Sequence, residues 1–117
     1  MNPTPRQLLV AANAVLSNDE SVLSGRREVT AAALARNAIE ASMDQWLTAQ
    51  RITRRSNKRQ DFLCLVALHP EPDLARELHY VWGRLSDACH ATSYDLPPTA
   101  TELQRWIDAA DKFISAS

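Results

Sequence analysis

The scarcity of glycine is the feature that most constrains the fold of this chain. Only two glycines occur among 117 residues, whereas alanine, leucine and arginine are abundant. Tight β-hairpin turns depend on glycine, while alanine, leucine and arginine favour helices. A hydrophobic content of 45% is ordinary for a chain with a packed core, and this length accommodates one domain. The sequence therefore predicts a single all-α domain over residues 1–117.

Capping signals and prolines divide the chain into five predicted helices. N-cap residues followed three positions later by Gln or Glu mark three helix starts: Thr4–Gln7, Asn57–Gln60 and Thr99–Glu102. Prolines interrupt the chain at 70–72 and at 97–98. The predicted helices span about 5–17, 26–50, 58–68, 73–91 and 100 to the C-terminus. No strand candidate and no internal repeat remain, so we expect a five-helix bundle.

Apolar residues recur at helical spacing and predict the core. In the second and third helices the predicted core residues are Val29, Ala32, Ile39, Met43, Trp46, Phe62, Leu63, Leu65 and Val66. The three tryptophans are predicted to anchor the core. His69, next to a proline in a turn, is predicted to be exposed.

The two cysteines indicate neither a metal site nor a disulfide framework. Cys64 and Cys89 form no CxxC pair and have no histidine cluster at ligand spacing, whereas a structural zinc site takes about four ligands. We expect reduced core thiols and no cofactor. The N-terminus lacks the basic and apolar regions of a signal peptide, and no apolar run approaches the roughly 20 residues that span a bilayer. The sequence therefore predicts a cytoplasmic protein without membrane contact.

A net charge of −1 hides a basic segment at residues 51–59. This segment holds five cations and no anion: Arg51, Arg54, Arg55, Lys58 and Arg59. Such a patch attracts phosphate groups through counterion release, which makes these residues candidates for RNA binding. A solvated loop between helices is the alternative interpretation.

The fourth predicted helix carries the candidate chemistry on its polar face. One face is apolar and is predicted to be core: Leu74, Leu78, Val81, Trp82, Leu85 and Cys89. The opposite face holds His79, Gly83, Asp87 and His90, with Arg84 at its border. Glycine in a helix costs about 1 kcal/mol relative to alanine, so Gly83 suggests the close approach of a partner or ligand. Simple tolerance of the glycine is the alternative interpretation.

Arg84 and His90 are about 9 Å apart along the helix axis and about 120° apart around it. One regular helix does not easily direct both side chains to the same phosphate, although Asp87 between them can orient either. Two antiparallel copies of the helix, related by a two-fold axis, bring Arg and His from both chains into one cleft. This geometry favours a homodimer.

The segment Arg84-Leu-Ser-Asp-Ala-Cys-His90, late in a long helix of a small bundle, resembles the motif of the HEPN (higher eukaryotes and prokaryotes nucleotide-binding) family. The resemblance implies a homodimer whose two motifs meet at the interface. It also implies metal-independent cleavage of RNA and a role as a toxin or in phage defence. Candidate partners are RNA, a cognate antitoxin and a nucleotidyltransferase.

The resemblance also implies a role for each motif residue. Arg84 would hold the scissile phosphate and stabilise its charge, and His90 would transfer the proton. Asp87 completes the predicted catalytic set. Residues expected in or near the cleft are Gly83, His79, Tyr94, Arg36 and Glu40. Arg36 and Glu40 at i,i+4 are better explained as a structural ion pair, and Tyr94 as a side chain that packs at a helix end.

The alternative function is a non-enzymatic helical module that binds another protein or itself. In that interpretation Arg84 and His90 only keep the polar face soluble. The sequence contains no motif typical of another enzyme class: it has no glycine-rich phosphate loop, no GxSxG and no HExxH.

Overall fold

The computed structural model describes residues 3–17, 24–52, 57–90 and 98–116, and these residues form five α-helices and no strand. The helices are α1 Pro5–Leu16, α2 Ser24–Ala49, α3 Lys58–Leu68, α4 Pro72–Cys89 and α5 Ala100–Ala116. The predicted helix ends agree within about two residues. The prediction of an all-α chain with five helices is confirmed for the described residues.

The capping signals act as the sequence predicts. The Thr4 hydroxyl accepts a hydrogen bond from the Gln7 backbone N–H at 3.1 Å, and the Gln7 side chain accepts from the Thr4 N–H at 2.9 Å. Thr99 and Glu102 form the same reciprocal pair, with both bonds at 3.1 Å. These bonds satisfy backbone donors that a helix leaves unpaired in its first turn. The boundaries of α1 and α5 are therefore encoded locally.

The longest helix, α2, contacts all four of the others. α1 packs against α2 and α5, and α3 packs against α4 and α2. Four small residues of α2 are completely buried and allow its neighbours to approach closely: Ala31, Ala32, Ala35 and Ala38. The largest side chains buried around them include Phe62, Phe113, Ile39 and Met43. No helix of the described residues is long and apolar enough to cross a membrane.

Three predicted core residues are exposed. Leu63 is 50% exposed and Val29 is 38% exposed, and the thiol-bearing Cys64 is also exposed. α3 lies at the periphery and buries only the side that faces α2 and α4, so Leu63 and Cys64 point into solvent. Val29 lies at the edge of the buried face of α2. The prediction of core positions was wrong for these residues.

His69 is buried, which corrects the prediction that it is exposed. It is only 6% accessible, and its ring lies 5.0 Å from the Trp46 ring and 5.1 Å from the Phe113 ring, measured between centroids. Its Nδ1 accepts a hydrogen bond from the Glu71 backbone N–H at 3.0 Å. The turn between α3 and α4 is thus folded inward. Trp106 is buried and Trp46 and Trp82 are half-buried against the core, so the tryptophans anchor the core only in part.

Arg51 occupies a backbone conformation that favours glycine, with φ of 64°. The Arg51 N–H donates to the Thr48 carbonyl at 2.9 Å and the Ile52 N–H donates to the Leu47 carbonyl at 3.0 Å. These two bonds are the Schellman motif that closes a helix, and its left-handed position is usually glycine.

We therefore expect Arg51→Gly to raise the free energy of unfolding by about 1 kcal/mol, because glycine avoids the steric penalty of this conformation. Urea denaturation checks this. Arg51→Ala is the control and should give no comparable gain, since alanine keeps the Cβ atom. Equal gains from both substitutions would contradict the explanation.

Candidate site on the outer face of α4

One side of α4 faces solvent and carries most of the predicted site. We define the α4 outer face as Arg76, Tyr80, Gly83, Arg84, Asp87 and His90. The first five of these residues and His79 line a shallow depression of about 400 Å³. The opposite side of α4 is packed inward, with Leu78, Val81 and Leu85 buried. The division of this helix into two faces therefore agrees with its sequence periodicity.

The guanidinium of Arg84 contacts two neighbouring side chains, yet the Arg84 side chain remains about half exposed. Its guanidinium lies 5.8 Å from the centroid of the Trp106 ring on α5, within the range of a cation–π contact. Its Nη1 is 3.7 Å from Asp87 Oδ2, and the Arg84 side chain remains 48% exposed. An exposed i,i+3 pair of this kind contributes little to stability. A phosphate can therefore replace Asp87 as the partner of Arg84 at small cost.

His90 ends α4. Its backbone N–H donates to the carbonyls of Ser86 and Asp87, both at 3.2 Å, and the residue is exposed. Among the described residues, no hydrogen bond or ion pair joins the His90 side chain to Arg84 or Asp87. The structure thus brings Arg84 and Asp87 together, while His90 stands apart at the end of the same face.

His79 borders the α4 outer face but belongs partly to the α3–α4 contact. Its ring is nearly parallel to that of Phe62, with centroids 4.9 Å apart and an angle of 8° between the planes. Burial lowers the pKa of His79, and the positive charge of Arg59 lowers it further. The neutral form is therefore the one that the folded chain favours.

Because the pKa of His79 is lowered, the free energy of unfolding is expected to decrease as the pH falls. Between the folded pKa and the ordinary value of about 6.5, the unfolded chain binds more protons than the folded one. The contribution of His79 to the free energy of unfolding is therefore fully present above a pH of about 6.5. It is lost as the pH falls from this value through the folded pKa. His79→Phe keeps an aromatic ring against Phe62 but cannot titrate.

We expect the free energy of unfolding of His79→Phe to depend less on pH than that of the unchanged chain between pH 8 and 5. Urea denaturation of both proteins at each pH isolates the difference, because all other titrating groups are common to the two. If the free energy of unfolding had the same slope against pH in both proteins, His79 would not have a lowered pKa in the folded chain.

The end of the basic segment lies beside the α4 outer face. α3 and α4 are joined by a short turn, and Phe62 contacts both His79 and Trp82. The start of α3, including Arg59, therefore lies along the second half of α4. Lys58 is paired with Asp44 at 3.3 Å, Arg51 is exposed at the end of α2, and Arg54 and Arg55 lie outside the described residues.

Arg36 and Glu40 form the expected ion pair, with Arg36 Nε 3.5 Å from Glu40 Oε2. The same oxygen accepts a hydrogen bond from Trp82 Nε1 at 2.9 Å. Burial raises the pKa of the nearby Cys89 thiol, Arg36 opposes this shift and Glu40 adds to it. The pair thus braces α2 against the inner side of α4 and does not line the outer depression. Tyr94, the remaining cleft candidate, lies outside the described residues.

Gly83 has no steric role among the described residues. A Cβ atom added at Gly83 would meet none of their atoms within 4 Å, and its φ is not positive. We therefore expect Gly83→Ala to raise the free energy of unfolding by about 0.5–1 kcal/mol, through the higher helix propensity of alanine. Thermal or urea denaturation checks this. Ala88→Gly, at a buried position of the same helix, should be destabilising. A loss of stability in Gly83→Ala would show a packing role for the glycine.

Sequence reasoning missed Tyr80. Its side chain is 65% exposed and lies one helical turn from Arg76 on one side and from Arg84 on the other. Arg76 is paired with Asp73 at 2.6 Å. The signal was an aromatic residue within the polar face of α4, four residues from an arginine in each direction.

Comparisons with protein-family models, with curated proteins and with solved structures find no match for this chain. Within the part of the chain that the structure describes, no three His, Cys, Asp or Glu side chains form a group that could hold a metal ion.

Proposed function

We propose that the chain is a homodimeric RNA-binding protein, similar to HEPN domains, that cleaves RNA through the α4 outer face. One observation carries the proposal. Arg84 is held over Trp106 with its guanidinium still accessible, on the same exposed face as His90 and with open space at Gly83 between them. A fixed but accessible guanidinium is suited to bind a phosphate oxygen.

A dimer can bring together an arginine and a histidine that a single helix holds apart. Two α4 helices packed antiparallel about a two-fold axis place Arg84 of one chain opposite His90 of the other when the axis passes near Asp87. Each Asp87 carboxylate then lies near the axis beside its own Arg84, which offsets its charge. Two such Arg–His pairs line a common groove.

In this groove the RNA 2′-hydroxyl attacks the neighbouring phosphorus, and the bond from phosphorus to the 5′ oxygen breaks. One imidazole accepts the proton of the 2′-hydroxyl and an imidazolium donates a proton to the leaving oxygen. Arg84 stabilises the charge that develops on the phosphate oxygens. The products are a 2′,3′-cyclic phosphate and a 5′-hydroxyl. None of these steps requires a metal ion.

The basic segment supports recruitment of the substrate. Arg59 lies close enough to His79 at the border of the α4 outer face to lower its pKa, and Arg51 is exposed. Cations beside a catalytic groove raise the local concentration of a polyanion and make binding sensitive to salt.

Purified protein incubated with labelled RNA in EDTA tests the proposal. We expect cleavage products that end in a 2′,3′-cyclic phosphate, and sedimentation equilibrium should show a dimer. A monomer that neither binds nor cleaves RNA at micromolar concentration would refute it. Growth arrest on expression would support a toxin or phage-defence role, and co-purification would identify an antitoxin or nucleotidyltransferase partner.

A second candidate function is a non-enzymatic helical interaction module. The pairing of Arg84 with Asp87 favours it, because both charges already have a partner and His90 takes no part. In this case the protein forms a stable complex through the α4 outer face, and RNA remains intact.

A further inference from the structure

Tyr80 has the most exposed large apolar side chain in the described parts of the chain, at 65%. Among the described residues its hydroxyl has no hydrogen-bond partner. Its neighbours on the α4 outer face are Arg76 and Arg84, one turn away on either side, and Gly83, which adds no side chain to the depression. At this exposure, part of the π surface of the ring is open to a planar ligand.

We propose that Tyr80 stacks on a base of single-stranded RNA while Arg84 and Arg76 contact the phosphates on either side of that nucleotide. This inference rests on the proposed RNA-binding function and names its substrate class. Proteins bind single strands by combining aromatic side chains, on which bases stack, with cations that follow the backbone. Tyr80 between two arginines on one exposed helix face supplies both elements within about two turns.

The charges of the depression fit this ligand. Arg76 and Arg84 are each paired with an aspartate on the same helix, Asp73 and Asp87, and both arginine side chains are about half exposed. Exposed pairs of this kind are readily exchanged for phosphate contacts. Arg59, at the His79 border, adds a further cation on the side of α3.

Single-stranded RNA fits the shape better than duplex RNA. Bases in a duplex stack on one another, and their faces are not accessible to a side chain on a helix. The depression is shallow and open, so an extended strand can lie across it with one base turned towards Tyr80. The exposed leucines of α3, Leu63 and Leu68, do not line this depression.

The test uses a short single-stranded RNA that carries 2-aminopurine, whose fluorescence falls when it stacks on an aromatic ring. We expect the unchanged chain to quench the probe on binding. Tyr80→Ala should bind about 5- to 100-fold more weakly, the loss expected for one stacked base, without quenching. Tyr80→Phe should retain affinity within about two-fold and retain quenching, because it keeps the ring.

Two controls make the result specific. Val10→Ala removes another exposed apolar side chain, on α1, and should bind as the unchanged chain does. An RNA with an abasic site at the probe position should bind equally well to the unchanged chain and to Tyr80→Ala. Thermal denaturation should give the same midpoint for the Tyr80 variants, since the exposed ring has little part in folding.

The possible failures are distinguishable. If the unchanged chain neither binds nor cleaves any RNA, the proposed function fails, and this inference fails with it. If it binds or cleaves RNA and Tyr80→Ala does so equally well, the function stands and the role of Tyr80 is refuted. Equal affinity for duplex and single-stranded RNA would also refute it.

Discussion

Replacing Arg84 by alanine is expected to lower the rate of RNA cleavage by about 10²–10³-fold, the usual effect of removing one group that stabilises charge in the transition state. Replacing His90 by alanine is expected to lower it by about 10²–10⁴-fold, the usual contribution of a general acid or base. Both rates are measured with end-labelled RNA in EDTA. Arg84→Lys should recover only part of the loss, because an ammonium cannot form the two parallel bonds of a guanidinium.

A matched control separates this loss from a general loss of positive charge. Arg105 is an exposed arginine of α5 that does not line the depression, and Arg105→Ala should cleave at nearly the unchanged rate. Full activity in a correctly folded Arg84→Ala dimer would rule out the catalytic assignment.

Replacing Phe62 by alanine is expected to destabilise the chain by about 3–5 kcal/mol, the range for truncation of a buried phenylalanine. Phe62 is fully buried and packs its ring against those of His79 and Trp82, so its loss leaves a cavity between α3 and α4. Domains of this size are typically stable by only about 5–15 kcal/mol. A large fraction of the Phe62→Ala molecules is therefore expected to unfold under mild heating or at a low urea concentration.

Leu63 provides the control for Phe62. It is the next residue of the same helix and was predicted to be core, yet it is 50% exposed. Leu63→Ala should change the free energy of unfolding by no more than about 0.5 kcal/mol. If the two alanine variants lost equal stability in urea denaturation, the orientation of α3 would have to be different.

Helix boundaries could be predicted because their causes are local. The reciprocal bonds of Thr4 with Gln7 and of Thr99 with Glu102 involve residues three apart, and prolines act on their own position. The rotation of α3 about its axis has no such local cause. Its residues from Phe62 to Leu68 are apolar throughout, so only packing against α2 and α4 decides which of them are buried.

The same distinction applies to His69. Its burial depends on Trp46 and Phe113, which belong to α2 and α5. A proline beside a histidine favours a turn, and turns usually lie at the surface. No local signal indicates that two distant aromatic rings enclose this one.

The candidate site was predictable in outline. Periodicity separates the two faces of α4, and the spacing of Arg84 and Asp87 predicts their contact. The cation–π contact of Arg84 with Trp106 depends on how α5 packs and has no signal within α4. Tyr80 was not predicted, because a single aromatic residue on a polar helix face does not by itself indicate a binding surface.

The unequal environments of the two thiols provide a labelling strategy for all of these experiments. Cys64 is exposed on α3, while Cys89 is half-buried. Burial also raises the pKa of the Cys89 thiol, so at neutral pH a smaller fraction of Cys89 is in the reactive thiolate form than for an ordinary cysteine. A maleimide dye should therefore attach first to Cys64 without any engineered cysteine. Because α3 lies directly against α4, such a dye would report RNA binding or dimer formation at the neighbouring face in the unaltered chain.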